Sequence, residues 1–184
     1  MHLFRQAFSP PRNLRDGLLS MIWVEHIIRF AVVYVLQILL VNNLHFMGVV
    51  DPCIYILALL VLPAELNKLW QLLIGFAAGF VMDIFCNSMG VHTLACTALM
   101  FARPYLIGWL VQEDERLVGT ITSLTLGWET FIKYIAVATV FHHTLVFLFS
   151  AFTFRAFWLT LIQIIASSLL TILLLIGWEA IRKK

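Results

Sequence analysis

Charge is what this 184-residue sequence has least of: only 12% of its side chains are Asp, Glu, Lys or Arg, about half the share of a soluble domain. The 12 basic residues exceed the 10 acidic ones by two, so the basic footprint of a nucleic-acid binder is missing. Cysteine is scarce too. Cys53, Cys86 and Cys96 are odd in number and have no C-x-x-C spacing, which points away from a disulfide framework or a zinc site and toward buried thiols. Catalytic patterns are also missing: there is no nucleophile–base constellation, no phosphate loop and no H-E-x-x-H. Ser167–Ser168 have no acid or base nearby in the sequence, and hydroxyls in such a helix usually bond back to their own backbone.

Apolar side chains are abundant, at 62% of the chain with a mean hydropathy of +0.96. Six stretches of about 20 residues take up roughly 120 positions. The remaining ~64 residues cannot hold a soluble domain of typical size, ~100–150 residues. The expected fold is therefore an all-α polytopic membrane protein, a compact bundle of six transmembrane helices over 22–41, 49–64, 69–86, 91–111, 131–151 and 156–178. The second span is short, because only 13 residues separate Asp51 from Glu65; it must thin the bilayer or draw in Phe46 to Val50. The Thr-rich stretch 117–128 reads as an interfacial lead-in to the fifth helix. The run behind Arg5, Arg12 and Arg15 lacks a small-x-small cleavage site and reads as a retained first helix behind a basic tail, 1–20.

Basic residues set the expected orientation. Arg5, Arg12 and Arg15 precede the first span and Arg182, Lys183 and Lys184 follow the last. An even number of spans places both clusters, and hence both termini, in the cytoplasm. Lys68 and Arg116 then also fall inside, with Trp23, Trp70, Trp109, Trp128 and Trp178 near the inner boundary and Trp158 near the outer.

Ionisable groups at membrane depth cost roughly 2.5–3.5 kcal/mol each on insertion scales, which makes them the natural functional candidates. Asp83 lies about 6 Å inside the outer boundary and Arg103 roughly 20 Å below it, so a direct ion pair is not expected. Gln37 is level with Asp83, and Asn43, His45 and Asn87 lie just above. This polar layer ties the first helix to the third. It reads either as a shallow outward-facing site or as interhelical hydrogen bonding that fixes packing. Gly75 and Gly79 form G-x-x-x-G, and Asp83 continues their face. Such a face admits a closely packed neighbour, which is either another helix of the chain or another protein. Pro104 deprives the Met100 carbonyl of its helical donor. Beside it, the Arg103 head can snorkel to the interface, bind carbonyls at the kink or meet a partner. His142 and His143 diverge by about 100° on a helix, and His26, His45 and His92 are scattered, so no metal site is expected. Glu25/Arg29 and Glu129/Lys133 read as local (i, i+4) pairs.

Three stretches carry a resemblance. Gln37–Pro52 reads Q-I-L-L-V-N-N-L-H-F-M-G-V-V-D-P, Gly75–Gly90 reads G-F-A-A-G-F-V-M-D-I-F-C-N-S-M-G, and Phe101–Tyr105 reads F-A-R-P-Y. In order and spacing, over roughly residues 35–110, the chain resembles the rod shape-determining protein MreD family of the bacterial inner membrane. The P-A-E-L-N after the second span and the paired His142–His143 are similar to that family as well. The resemblance implies a non-enzymatic component of the cell-elongation machinery, without cofactor. It also implies association with an MreC-like bitopic partner and, through it, with a RodA-type glycan polymerase, the elongation transpeptidase and the MreB filament. The residues expected to serve partner binding or packing are Gln37, Asn43, His45, Gly75, Gly79, Asp83, Arg103 and Pro104. The rival class is transport: a compact six-helix bundle with a polar layer around Asp83 also resembles the substrate-capturing membrane subunits of vitamin-uptake transporters.

Overall fold

The computed structural model describes residues 24, 26–41, 50–111, 119–151 and 157–182. The tail 1–20, Asn43, His45, Glu25 and the acidic loop Glu113–Asp114–Glu115 lie outside this set. Regular structure among the described residues is entirely helical. In chain order it comprises α1 (His26–Leu39), α2 (Ile56–Leu60), α3 (Lys68–Cys86), α4 (Val91–Leu110), α5 (Ser123–Leu126), α6 (Trp128–Ala151) and α7 (Phe157–Arg182). Four of these, α3, α4, α6 and α7, are long and apolar enough to cross a membrane. Their bounds lie close to the four spans expected from hydropathy. The described part of the first span is helical at Val24 and from His26 onward, and its last turn passes into a π-helix over Gln37–Val41. Trp70, Trp109, Trp128 and Trp178 gather at one end of the bundle through the up-and-down order of the long helices.

The second span departs from expectation. Among the described residues of 49–64, only Ile56–Leu60 is helical, and Asp51–Cys53 is irregular. A lone helix must satisfy its own backbone in lipid, but irregular chain is tolerated where protein surrounds it. That is the case here: every residue from Tyr55 to Leu62 is at most 2% exposed. Around this segment, the core draws Val33 and Tyr34 from α1, Ala78 and Met82 from α3, Leu99 and Met100 from α4, Phe131, Tyr134, Ile135 and Ala138 from α6, and Leu175 from α7. Its far end is tied down where Pro63 bridges Thr120 and the Ala64 N–H donates to the Gly119 carbonyl.

α3 packs on α4, α4 on α6, and α6 on α7. The α3–α4 turn is tight. Asn87 ends α3 in the left-handed conformation, and Gly90, at φ 93°, precedes α4, a torsion that only glycine adopts without strain. The neighbour of the small-residue face is α4: a Cβ on Gly75 would meet Met100 and Cys96, and one on Gly79 would meet the backbone of His92 and Thr93. α4 continues helically through Pro104 to Leu110.

Candidate functional site

The irregular segment 51–63 cannot saturate its own N–H and C=O groups, and buried backbone groups left unpaired cost about 1–3 kcal/mol each. Gln37, Arg103, Tyr134, Ser167 and Thr171 from the surrounding helices take up that role.

At the Trp-rich end the Arg103 side chain is fully buried. Its fork donates to the Leu60, Leu62 and Pro63 carbonyls, to Tyr134 Oη at 3.1 Å and to Gln71 Oε1 at 3.1 Å. Tyr134 Oη in turn donates to the Leu60 carbonyl at 3.0 Å, and Gln71 Nε2 to the Leu66 carbonyl. Arg103 therefore neither snorkels nor caps its own kink; it serves the carbonyls of another segment. The ion pairs among the described residues are Lys133–Glu129 and Arg182–Glu179, so carbonyl and hydroxyl dipoles, not a carboxylate, offset the guanidinium. Five donors in a planar fork suit that task, and a lysine point charge does not. Beside this clamp, Glu179 is buried and accepts from the Ser123 N–H and Oγ, both at 2.9 Å, tying α7 to the start of α5.

About 16 Å further along α4, by helical rise, the Tyr55 hydroxyl joins three elements. It lies 3.0 Å from His92 Nδ1, 2.9 Å from His142 Nε2 and 3.4 Å from Cys96 Sγ. The hydroxyl carries a single proton, so satisfying both imidazole contacts requires one ring to accept and the other to donate. His143 turns to different partners, the Thr139 carbonyl at 3.0 Å and Thr171 Oγ1 at 3.2 Å. Thr171 Oγ1 also accepts from the Cys53 N–H. Among the described residues no group of three His, Cys, Asp or Glu side chains is arranged to hold a metal ion.

The third layer lies at the opposite end. Gln37 Nε2 donates to the Pro52 carbonyl at 3.0 Å, and its Oε1 accepts from the Ile54 N–H at 2.8 Å and the Tyr55 N–H at 3.4 Å. Ser167 Oγ accepts from the Asp51 N–H at 3.0 Å; bonding of this hydroxyl back to its own helix, the ordinary expectation, gives way to the needs of the segment. Asp83 Oδ1 accepts from Ser88 Oγ and the His92 N–H, and Oδ2 from the Thr93 N–H and Oγ1. The carboxylate thus caps the start of α4 from the neighbouring helix, a placement the helix dipole favours. Asp83→Asn keeps the shape but turns an amide NH2 toward two of these donors. A loss of about 2–3 kcal/mol in stability is expected, read as a lower melting temperature in detergent; an unchanged melt would mean that the carboxylate is not the cap.

Of the residues singled out from the sequence, Gly75, Gly79 and Asp83 share one face against α4, and Gln37 holds the segment beside them. Arg103 and Pro104 stand at the other end, and Asn43 and His45 lie outside the described residues. Tyr55, Gln71, Tyr134, Thr171 and Glu179 carry as much of the polar architecture but were not singled out. Each is a lone polar group in an apolar run, and only the path of segment 51–63 shows what it meets. Between the Asp83 and Tyr55 layers a cavity of about 530 Å³ opens at the α3–α4 turn, lined among others by Gln37, Asp51, Ser88, His92 and Gln163. Comparison of the chain with protein-family models, curated proteins and solved structures finds no match.

Proposed function

We propose that this chain is a non-enzymatic scaffold of the bacterial cell-elongation machinery, seated in the inner (cytoplasmic) membrane and bound to an MreC-like bitopic partner. One observation carries the reading. Described residues of the three stretches that resemble the MreD family meet in one packed unit: Gln37 holds Pro52, Gly75 and Gly79 pack on α4, and Arg103 closes on Leu60–Pro63. Residues shared with a family in order and spacing, and converging on one architectural device, support a shared role. In this reading α1 and segment 51–63 each make a crossing beside the four long helices, giving six, with both termini cytoplasmic. Because α4 fills the Gly75–Gly79 face, the partner docks on other helix faces. A RodA-type glycan polymerase, the elongation transpeptidase and the MreB filament are reached through that partner.

The cavity favours a second reading, the ligand-capturing subunit of a small-molecule uptake transporter. Pull-down of the tagged chain in mild detergent, with partners identified by mass, separates the two. The scaffold reading expects an MreC-like bitopic protein. Recovery of an energising ATPase module in its place would overturn it.

A further inference from the structure

The cavity at the α3–α4 turn has walls that select for one kind of ligand. Its polar lining includes Asp51, Ser88 and Gln163, and its apolar lining includes Phe85 and Phe147. Among the described residues that line it there is no Lys or Arg. Its volume of about 530 Å³ lies within the ~300–1,000 Å³ of small-molecule sites. His92 adds a ring nitrogen to the same walls. His92 is 8% exposed and lines the cavity; its Nδ1 is engaged by Tyr55, and its Nε2 has no hydrogen bond to the described residues. Carboxylate and aromatic rings around one space are the elements by which proteins hold organic cations.

We propose that this cavity binds an organic ammonium group, with Asp51 as its countercharge, Phe85 and Phe147 as aromatic walls and His92 Nε2 as a hydrogen-bonding group for a polar substituent. The proposal depends on the cavity alone and stands under either reading of the chain's role. Two sources can present this chemistry, a free amine or the headgroup of phosphatidylethanolamine.

Cys86 also lines the cavity, which gives a direct readout. The full chain is reconstituted in nanodiscs of phosphatidylglycerol alone and labelled with cationic trimethylammonium-ethyl or anionic sulfonatoethyl methanethiosulfonate, with Cys86→Ser as the blank. Rates are normalised to those on 2-mercaptoethanol. The cationic reagent is expected to be favoured about tenfold at Cys86, and Asp51→Asn to abolish the preference. Saturating choline slows Cys86 labelling several-fold in the wild type but not in Asp51→Asn, which identifies a free ammonium ligand. In discs that contain phosphatidylethanolamine, slow labelling without choline that Asp51→Asn restores identifies the headgroup as the source. If neither choline nor phosphatidylethanolamine changes the rate, the proposal is overturned, whatever the reagent preference. Among the described residues the Asp51 side chain makes no hydrogen bond, and the substitution leaves its backbone N–H on Ser167. Unreactive Cys96, which is fully buried, reports in each variant that the core is intact.

Discussion

Gly79→Leu prevents the bundle from forming, and Gly79→Ala already lowers its stability by about 3 kcal/mol or more. A Cβ at this position lies 2.4 Å from the His92 carbonyl oxygen, 2.5 Å from Thr93 Cα and 2.7 Å from the His92 carbonyl carbon. All three are backbone atoms, so no side chain can swing aside and the two helices must separate. Separation also draws Asp83 away from the His92 and Thr93 N–H groups, adding the loss of charge-assisted hydrogen bonds to the strain of overpacking. Gly75 provides the contrast. Two of the three atoms nearest its Cβ belong to the flexible Met100 side chain, at 2.7 and 3.0 Å, and only the Cys96 carbonyl, at 2.9 Å, is backbone. Gly75→Ala is therefore milder than Gly79→Ala. Melting curves of the two purified variants in the same detergent check the order; equal melts, or a wild-type melt for Gly79→Ala, would show that α3 and α4 do not touch there.

Arg103→Met has the other large effect, and it acts in opposite directions on insertion and on folding. Removing a charge from α4 eases its entry into lipid by roughly 2.5–3.5 kcal/mol on insertion scales. The same change leaves the Leu60, Leu62 and Pro63 carbonyls without the guanidinium. It also strips Gln71 and Tyr134 of a donor. Each buried acceptor left unpaired in this way costs about 1–3 kcal/mol. The variant accumulates in the membrane, yet Cys96, shielded in the wild type, becomes reactive toward N-ethylmaleimide. Arg103→Lys falls between the two, since one ammonium cannot span three carbonyls and two side chains. Continued protection of Cys96 in Arg103→Met would refute the clamp.

The long helices were legible because hydropathy over some 20 residues reports burial from water without any knowledge of neighbours. The same index misleads at 49–64. A segment wrapped by protein and a helix facing lipid are equally apolar, so Ile54–Leu62 carries no mark of its irregular path. Pro52 and Pro63, at the two ends of that run, are the local hint. Depth arithmetic placed Gln37 at the level of Asp83, and both do stand at that end of the bundle. It could not show that Gln37 serves the backbone of 52–55 while Asp83 serves the start of α4. The angular divergence of His142 and His143 was similarly legible, and each ring meets different partners. That His92 comes to share Tyr55 with His142 depends on three separate elements converging, which spacing along one chain does not encode.

The wrapped segment also constrains how the protein is made. Its acceptors and donors arrive late in synthesis: Arg103 stands 41 residues beyond Leu62, Tyr134 74 beyond Leu60, and Ser167 and Thr171 116 and 118 beyond Asp51 and Cys53. Gln37 apart, which precedes them, nothing yet exists to hold the backbone of residues 51–63 in its final shape when they leave the ribosome. They must wait as a transient helix or at the membrane surface until α7 has been made. Insertion and folding are consequently not separable stages for this chain. A truncation that removes α7 is expected to leave the earlier helices embedded but the centre of the bundle unassembled.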